Sequence, residues 1–169
     1  MKLIYWLDNN LEKYILVFLS CFTVIIIFTQ VVMRYVFDNS LSWSEEIARY
    51  AFIWMIYIGV SYGVKEQKHL NVDAFSMLFE KKGKIILSMI STISFFIFSL
   101  IISIYGFDIV VKITRESAAL QIPMEWVYAA PAVGMALTSI RLIQRLVLQM
   151  KELKSLKEEK GYDLREGAV

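Results

Sequence analysis

The sequence predicts an all-α integral membrane protein with four transmembrane helices, and three observations predict it. Four long apolar stretches, Tyr14–Met33, Ile47–Val64, Ile85–Phe107 and Met124–Ile140, recur along the 169 residues, separated by charged segments. Each is near the roughly 20 residues that a helix rising about 1.5 Å per residue needs to cross a hydrocarbon core of about 30 Å. Composition agrees: hydrophobic residues make up 57% of the chain and charged residues 20%, which leans away from a water-soluble domain. The third observation is the placement of Arg and Lys. Of the eighteen, fourteen fall in three segments: Lys2 and Lys13; Lys65, Lys68, Lys81, Lys82 and Lys84; and Arg141, Arg145, Lys151, Lys154, Lys157, Lys160 and Arg165. The positive-inside rule puts those segments, and so both termini and the middle loop, in the cytoplasm. An odd number of spans would break that alternation.

The expected layout is one four-helix transmembrane domain over residues 1–150, with spans at about 14–36, 43–64, 85–107 and 124–145, and a charged cytoplasmic tail over 151–169. The chain has room for one such domain and not two. In residues 2–13, Leu3, Ile4, Leu7 and Leu11 share one helical face, while Asp8, Asn9 and Glu12 fall opposite. This predicts a short interfacial helix lying on the cytoplasmic surface before the chain turns into the bilayer; the alternative is a plain extension of span one. Span one reads as a retained anchor and not a cleaved signal peptide, because Met33-Arg34-Tyr35-Val36-Phe37 is bulky where a cleavage site needs small residues. Cys21, alone in the chain, supports no disulfide framework and reads as a small apolar helix residue.

Asp38-Asn39-Ser40 is a short polar turn. Ser42-Trp43-Ser44-Glu45 then has the spacing of a capping box and predicts a helix start at Ser42. Arg49, just inside span two, is expensive in lipid unless paired; Glu45, four residues earlier on the same face, and Glu46 are the expected partners. That cluster reads either as a charged relay or as a structural ion pair, and its position at the membrane edge favours the second. Gly59-x-x-x-Gly63 offers a small face for close helix approach, a common pattern with little specificity.

The middle loop is basic at both ends, and Leu70, Val72, Phe75, Leu78 and Phe79 predict a second short interfacial helix there. His69, the single histidine, reads as a polar anchor or cap, with a proton carrier as the alternative. Span three is rich in Ser with Thr92, groups that bond back to their own helix or across to another. Asp108, Lys112 and Glu116 step by four and extend that helix outward. Pro123 suits the start of span four, and Pro131 inside it predicts a bend among small residues that include Gly134.

Several chemistries lack their residues. No span holds paired axial ligands for haem, and no His/Cys cluster is present for a metal. There is no glycine-rich phosphate loop, no intramembrane histidine base and no mid-span carboxylate. Inverted repeats with glycine-broken helices, the mark of a transporter core, are also missing. The expectation is therefore no cofactor, no metal, no nucleic acid and no catalysis, which is the profile of an accessory subunit.

An ordered set of residues carries a resemblance: Arg34-Tyr35; Trp43-Ser-Glu45-Glu46 with Arg49-Tyr50; Trp54 and Gly59; His69-Leu-Asn-Val72-Asp73; Ile122-Pro123; and Tyr128-x-x-Pro131-x-x-Gly134. In order and spacing, over about residues 10–145, the chain resembles the small, Q-type permease subunit of tripartite ATP-independent periplasmic (TRAP) transporters. No single motif is specific; the ordered set is. The resemblance implies a bacterial inner-membrane scaffold. It implies a large multi-span partner subunit that holds the substrate and sodium sites and moves like an elevator. It also implies a periplasmic binding protein that delivers an organic acid of the sialic acid or C4-dicarboxylate class. Sodium is expected on the partner and not on this chain, and sialic acid is the preferred cargo. Interface or structural candidates are Arg34, Trp43, Glu45, Glu46, Arg49, Gly59, Gly63, His69, Pro123, Pro131 and Gly134. Asp38, Arg115 and Glu116 are candidate contacts for the binding protein, with Glu45 and Glu46 as further exposed charges on that side. A stand-alone homo-oligomeric carrier or channel is the alternative, and it would want an ionisable group facing a pore in mid-membrane.

Overall fold

The computed structural model describes residues 2–66 and 81–166, with side chains over 10–66 and 82–156. It is all-α, with four long helices: α1 (Lys2–Val36), α2 (Ser42–Lys65), α3 (Lys81–Lys112) and α4 (Glu125–Glu166). Each contains a segment long and apolar enough to cross a membrane: Asn10–Val36, Ser42–Lys65, Lys82–Lys112 and Glu125–Leu156. Helices are the expected answer in hydrocarbon, where each backbone N–H and C=O must find its partner inside the segment. All four expected spans are present, and every helix outruns the apolar stretch that predicted it.

The N-terminal segment corrects one expectation. α1 runs unbroken from Lys2 to Val36, so residues 2–13 extend span one and do not form a separate helix with a turn after it. The expected middle-loop helix and His69 lie outside the described residues.

The helices form a row and not a square bundle. α1 packs on α2, α2 on α4 and α4 on α3, while among the described residues α1 and α3 make no close backbone approach. Within each hairpin the helices are antiparallel: Gln30 meets Glu45 and Glu12 meets Ser61, and likewise Ser99 meets Ser139 and Ser88 meets Gln149. At the centre α2 and α4 run parallel, since Tyr50, Trp54 and Tyr57 meet Met124, Trp126 and Gly134 in rising order. The chain thus builds two hairpins side by side, with its second and fourth helices in the middle.

Different contacts hold each seam. Between α3 and α4 the seam is polar. Ser99 Oγ lies 2.8 Å from Ser139 Oγ, Ser103 Oγ donates to the Ala132 carbonyl, and Gln149 Nε2 donates to Ser88 Oγ and Thr92 Oγ1. Lipid offers no competing hydrogen bonds, so such pairs tie helices that hydrophobicity alone would not. Between α2 and α4 the seam is close. A Cβ on Gly134 would fall 2.5 Å from Tyr57 Cβ and 3.0 Å from the Tyr57 carbonyl oxygen. Gly106 plays the same part on α3, where a Cβ would lie 3.0 Å from Ala132 Cβ. Gly59 does not: its added Cβ would sit 3.8 Å from Leu16 Cδ2, ordinary contact distance. The closest backbone approach is therefore at the small face of α4 and not at Gly59. Pro131 lies inside α4 between fully buried Ala130 and Ala132.

These distances set a direct expectation. Gly134→Ala forces α2 and α4 apart and lowers the stability of the purified chain in detergent by about 1–3 kcal/mol. Gly59→Ala stays within about 0.5 kcal/mol of the parent. Thermal melts of the two variants side by side check the contrast.

Candidate functional site

The 113–124 segment turns the chain from α3 back into α4. Met124 N–H bonds to the Arg115 carbonyl at 2.9 Å and Ser117 N–H to the Ile122 carbonyl at 2.9 Å, with an isolated bridge between Glu116 and Pro123. Gln121 takes a left-handed φ of 53°, and Ser117 Oγ accepts the Ile122 N–H at 3.3 Å. The three amides at the tip find their acceptor on another helix. Glu46, 5% exposed, takes Ala118 N–H on Oε1 at 3.2 Å, and Ala119 and Leu120 N–H on Oε2 at 3.0 and 2.9 Å. Tyr50 OH donates to Oε1 at 2.6 Å and lies 3.4 Å from Met124 Sδ. Successive backbone N–H groups around one anion form a nest; here the anion is a side chain from α2. Nearby, Trp54 Nε1 donates to the Trp126 carbonyl at 3.1 Å.

A second carboxylate does similar work at the opposite end of the row. Glu12, 2% exposed, accepts from Ser61 Oγ at 2.8 Å and from Arg141 Nε at 3.0 Å, and Lys65 Nζ lies 3.9 Å from its other oxygen. One side chain on α1 thereby reaches α2 and α4 together. A buried charge persists when paired and hydrogen-bonded in this way. Arg141 also donates from Nη1 to Gln144 Oε1. Both knots read as ties between helices.

The structure redistributes the residues expected at the α2 edge. Arg49 forms no ion pair with Glu45 or Glu46; it is exposed, its Cζ 5.9 Å from the ring centre of the adjacent Tyr50. The carboxylates are spent elsewhere: Glu46 on the loop amides, and Glu45 on Gln30 Nε2 at 2.7 Å. The helix does start at Ser42, but its cap residue is Leu41, with no side-chain cap; Ser44 Oγ donates to the Leu41 carbonyl instead. Glu46 is buried, so it is no exposed contact. Arg34 is exposed at the end of α1, beside Tyr35, and Trp43 lies in the first turn of α2, 37% exposed. Asp38, exposed in the first turn, holds a left-handed φ of 49°, a conformation Asp tolerates better than most residues. Arg115 and Glu116 are exposed on the α3–α4 loop, while Gly63 is buried near the end of α2. Lys112 pairs with Asp108 at 2.6 Å, but Glu116 lies beyond the helix.

Reading the sequence missed Glu12, Ser61 and Arg141 as a group. A signal existed: Glu12 lies two residues before the first apolar stretch and Arg141 directly follows the fourth, and charge counting places both on the same side. The helix extension reading of residues 2–13 would have brought them level.

The fold and its two ties define a small multi-pass membrane protein built from two helical hairpins. Residues 23–152 match the family described as tripartite ATP-independent periplasmic transporters, DctQ component, and the chain belongs to that family. It is 24% identical over 161 residues, 80% of this chain and 69% of the relative, to the C4-dicarboxylate TRAP transporter small permease protein DctQ of Vibrio cholerae. The sialic acid TRAP transporter small permease protein SiaQ of the same organism is 25% identical over 154 residues, covering 90% of this chain and 89% of the relative. The isethionate TRAP transporter permease protein DctMQ of Oleidesulfovibrio alaskensis is 28% identical over 155 residues, 86% of this chain but 24% of that longer protein. Relatives named small permeases, and one permease about four times the matched length, imply a larger permease counterpart.

Glu46→Gln removes one acceptor oxygen from the nest and turns an N–H toward the loop amides. Amide exchange in the 118–120 tip then rises about tenfold or more, read by hydrogen–deuterium exchange, at the amides that face the new NH2 and so lose their acceptor. At the other knot, a double-mutant cycle of Glu12→Gln and Arg141→Gln returns a coupling of about 1–3 kcal/mol in thermal stability.

Proposed function

We propose that this chain is the non-catalytic, fixed scaffold subunit of a sodium-driven TRAP importer in a bacterial inner membrane. Both termini face the cytoplasm. The large partner subunit carries sodium and cargo, and a periplasmic binding protein delivers the cargo. The observation that carries the reading is the pair of carboxylate knots. Glu46 ties the α3–α4 loop to α2, and Glu12 ties α1 to α2 and α4, so both ends of the row are cross-linked by buried, oriented hydrogen bonds. An element that must rock or slide would gain nothing from such ties, whereas a frame needs them. The exposed apolar faces of α1 and α3 supply surface for lipid and for a bulkier neighbour.

The cargo is an organic acid, with sialic acid preferred. Relatives of similar identity are named for C4-dicarboxylate, sialic acid and isethionate, which supports a cargo choice made by the partner and not by this subunit.

Arg49 is exposed and makes no ion pair within the described residues, so it is the best available charge for a partner contact. Arg49→Ala lowers co-purification with the large subunit, while the isolated chain keeps its stability within about 0.5 kcal/mol. For the scaffold role as a whole, proteoliposomes holding the large subunit take up cargo under a sodium gradient only when this chain is present. Full uptake without it rules the role out, and uptake by this chain alone revives the homo-oligomeric carrier.

A further inference from the structure

Contacts between helices fix which residues lie level along the row. On the first hairpin Gln30 meets Glu45, so Ile25 lies level with Tyr50, whose hydroxyl reaches Met124 at the head of α4. On the second hairpin Ser99 meets Ser139, so Ile97 lies level with Arg141. Seventeen residues separate Met124 from Arg141, which is about 25 Å along the helix axis. Yet Ile25 and Ile97 each sit near the middle of their own apolar stretches, Tyr14–Met33 and Ile85–Phe107. The charges that bound those stretches, Lys13 and Arg34 on α1, Lys84 and Asp108 on α3, are offset in the same sense.

An upright row cannot satisfy both helices. If α1 were centred in the bilayer, Ile86 and Ile90 of α3 would stand in water at one end. If α3 were centred, Phe28 and Val31 of α1 would do so at the other. All four are exposed on the protein surface, at 49%, 56%, 67% and 47%, and none has protein to cover it among the described residues. Tilting removes the conflict. Two helices separate α1 from α3, so the lateral distance is three interaxial steps of about 9 Å, or about 27 Å. A rise of about 25 Å over that distance is a slope of roughly 40°.

Helix length agrees independently. The four crossing segments have 27, 24, 31 and 32 residues, against the roughly 20 that cross upright. A 27-residue segment is about 40 Å long and projects to about 31 Å at that slope.

We propose that the row lies obliquely in the bilayer, with a slanted lipid-facing belt that runs from the Val31 end of α1 to the Ile86 end of α3, and that the partner of this surface is the hydrocarbon interior of the membrane. The inference needs the chain to span a bilayer; it does not need the scaffold reading. The α1–α2 hairpin then stands further out at the Glu46 end, and α3–α4 at the Glu12 end. The α3–α4 pairing bears this out. It continues to Ser88 and Gln149, eight residues past Arg141, with Ile85 still buried and apolar neighbours exposed around it.

Site-directed nitroxide labels test it on the full chain in phosphatidylcholine liposomes, alone and with the large subunit. Cys21 is the single cysteine and is replaced by Ser. Labels are then placed at Ile25→Cys, Ile97→Cys, Val17→Cys and Ile104→Cys, all at exposed positions where they disturb no packing. Depth is read from the ratio of oxygen to nickel-chelate accessibility. The oblique row puts labels 25 and 97 at the same depth near the bilayer centre, within about 5 Å. It puts 17 and 104, which are level along the row, about 15–20 Å apart on opposite sides of the centre. An upright row gives the reverse, with 25 and 97 about 25 Å apart and 17 and 104 at one depth, and that result overturns the proposal. If the large subunit takes up cargo at the full rate without this chain while the depths hold, the scaffold reading alone falls and the oblique row stands.

Discussion

Hydrocarbon offers a peptide group no hydrogen bond, and the structure follows from that constraint. Helices meet it wherever the chain is regular. The 113–124 return is irregular, and the three amides at its tip turn onto one carboxylate of α2. Glu46 is an acceptor-only group with lone pairs to spare, so a single side chain closes three N–H groups and a tyrosine hydroxyl. The cost of burying its charge is offset by the number of donors converging on it. Glu12 meets the same constraint at the other end with cationic partners in place of amides.

The same solvent explains why four helices settle in a row. In water the hydrophobic effect would drive α1 and α3 together and close a bundle. In lipid the acyl tails are as apolar as the side chains, so nothing drives that closure. What remains is specific adhesion: close approach at Gly134 and Gly106, hydroxyl pairs along α3–α4, and a charged tie at each end. Helices without such a seam between them stay apart. A single layer exposes far more apolar surface than a bundle would, which suits the scaffold role proposed for it.

Much of the fold was legible because its signals are one-dimensional. Span count came from runs of apolar residues, which need no partner residue. The polar seam was half legible: the serines of span three stood out, but Ser139 and Gln149 could not be named as their partners. Local pairing rules fared worst. Glu45 and Arg49 have the right spacing for an ion pair on one helix, yet Glu45 turns to Gln30 and Glu46 to a loop more than seventy residues away. The Gly59/Gly63 pattern matched a packing motif, but at Gly59 the neighbouring helix stays at ordinary distance. Spacing along one helix says which residues could meet; competition from other elements decides which do.

By itself the sequence determined the solvent and the number of crossings, because those depend on composition and on runs of a fixed length. Only the tertiary structure decided that the helices form a row, that α2 and α4 run parallel at its centre, and that Glu12 and Glu46 are buried ties. Those outcomes rest on contacts between residues distant in the chain, and nothing in the order of residues records how far one helix slides along another before their side chains lock.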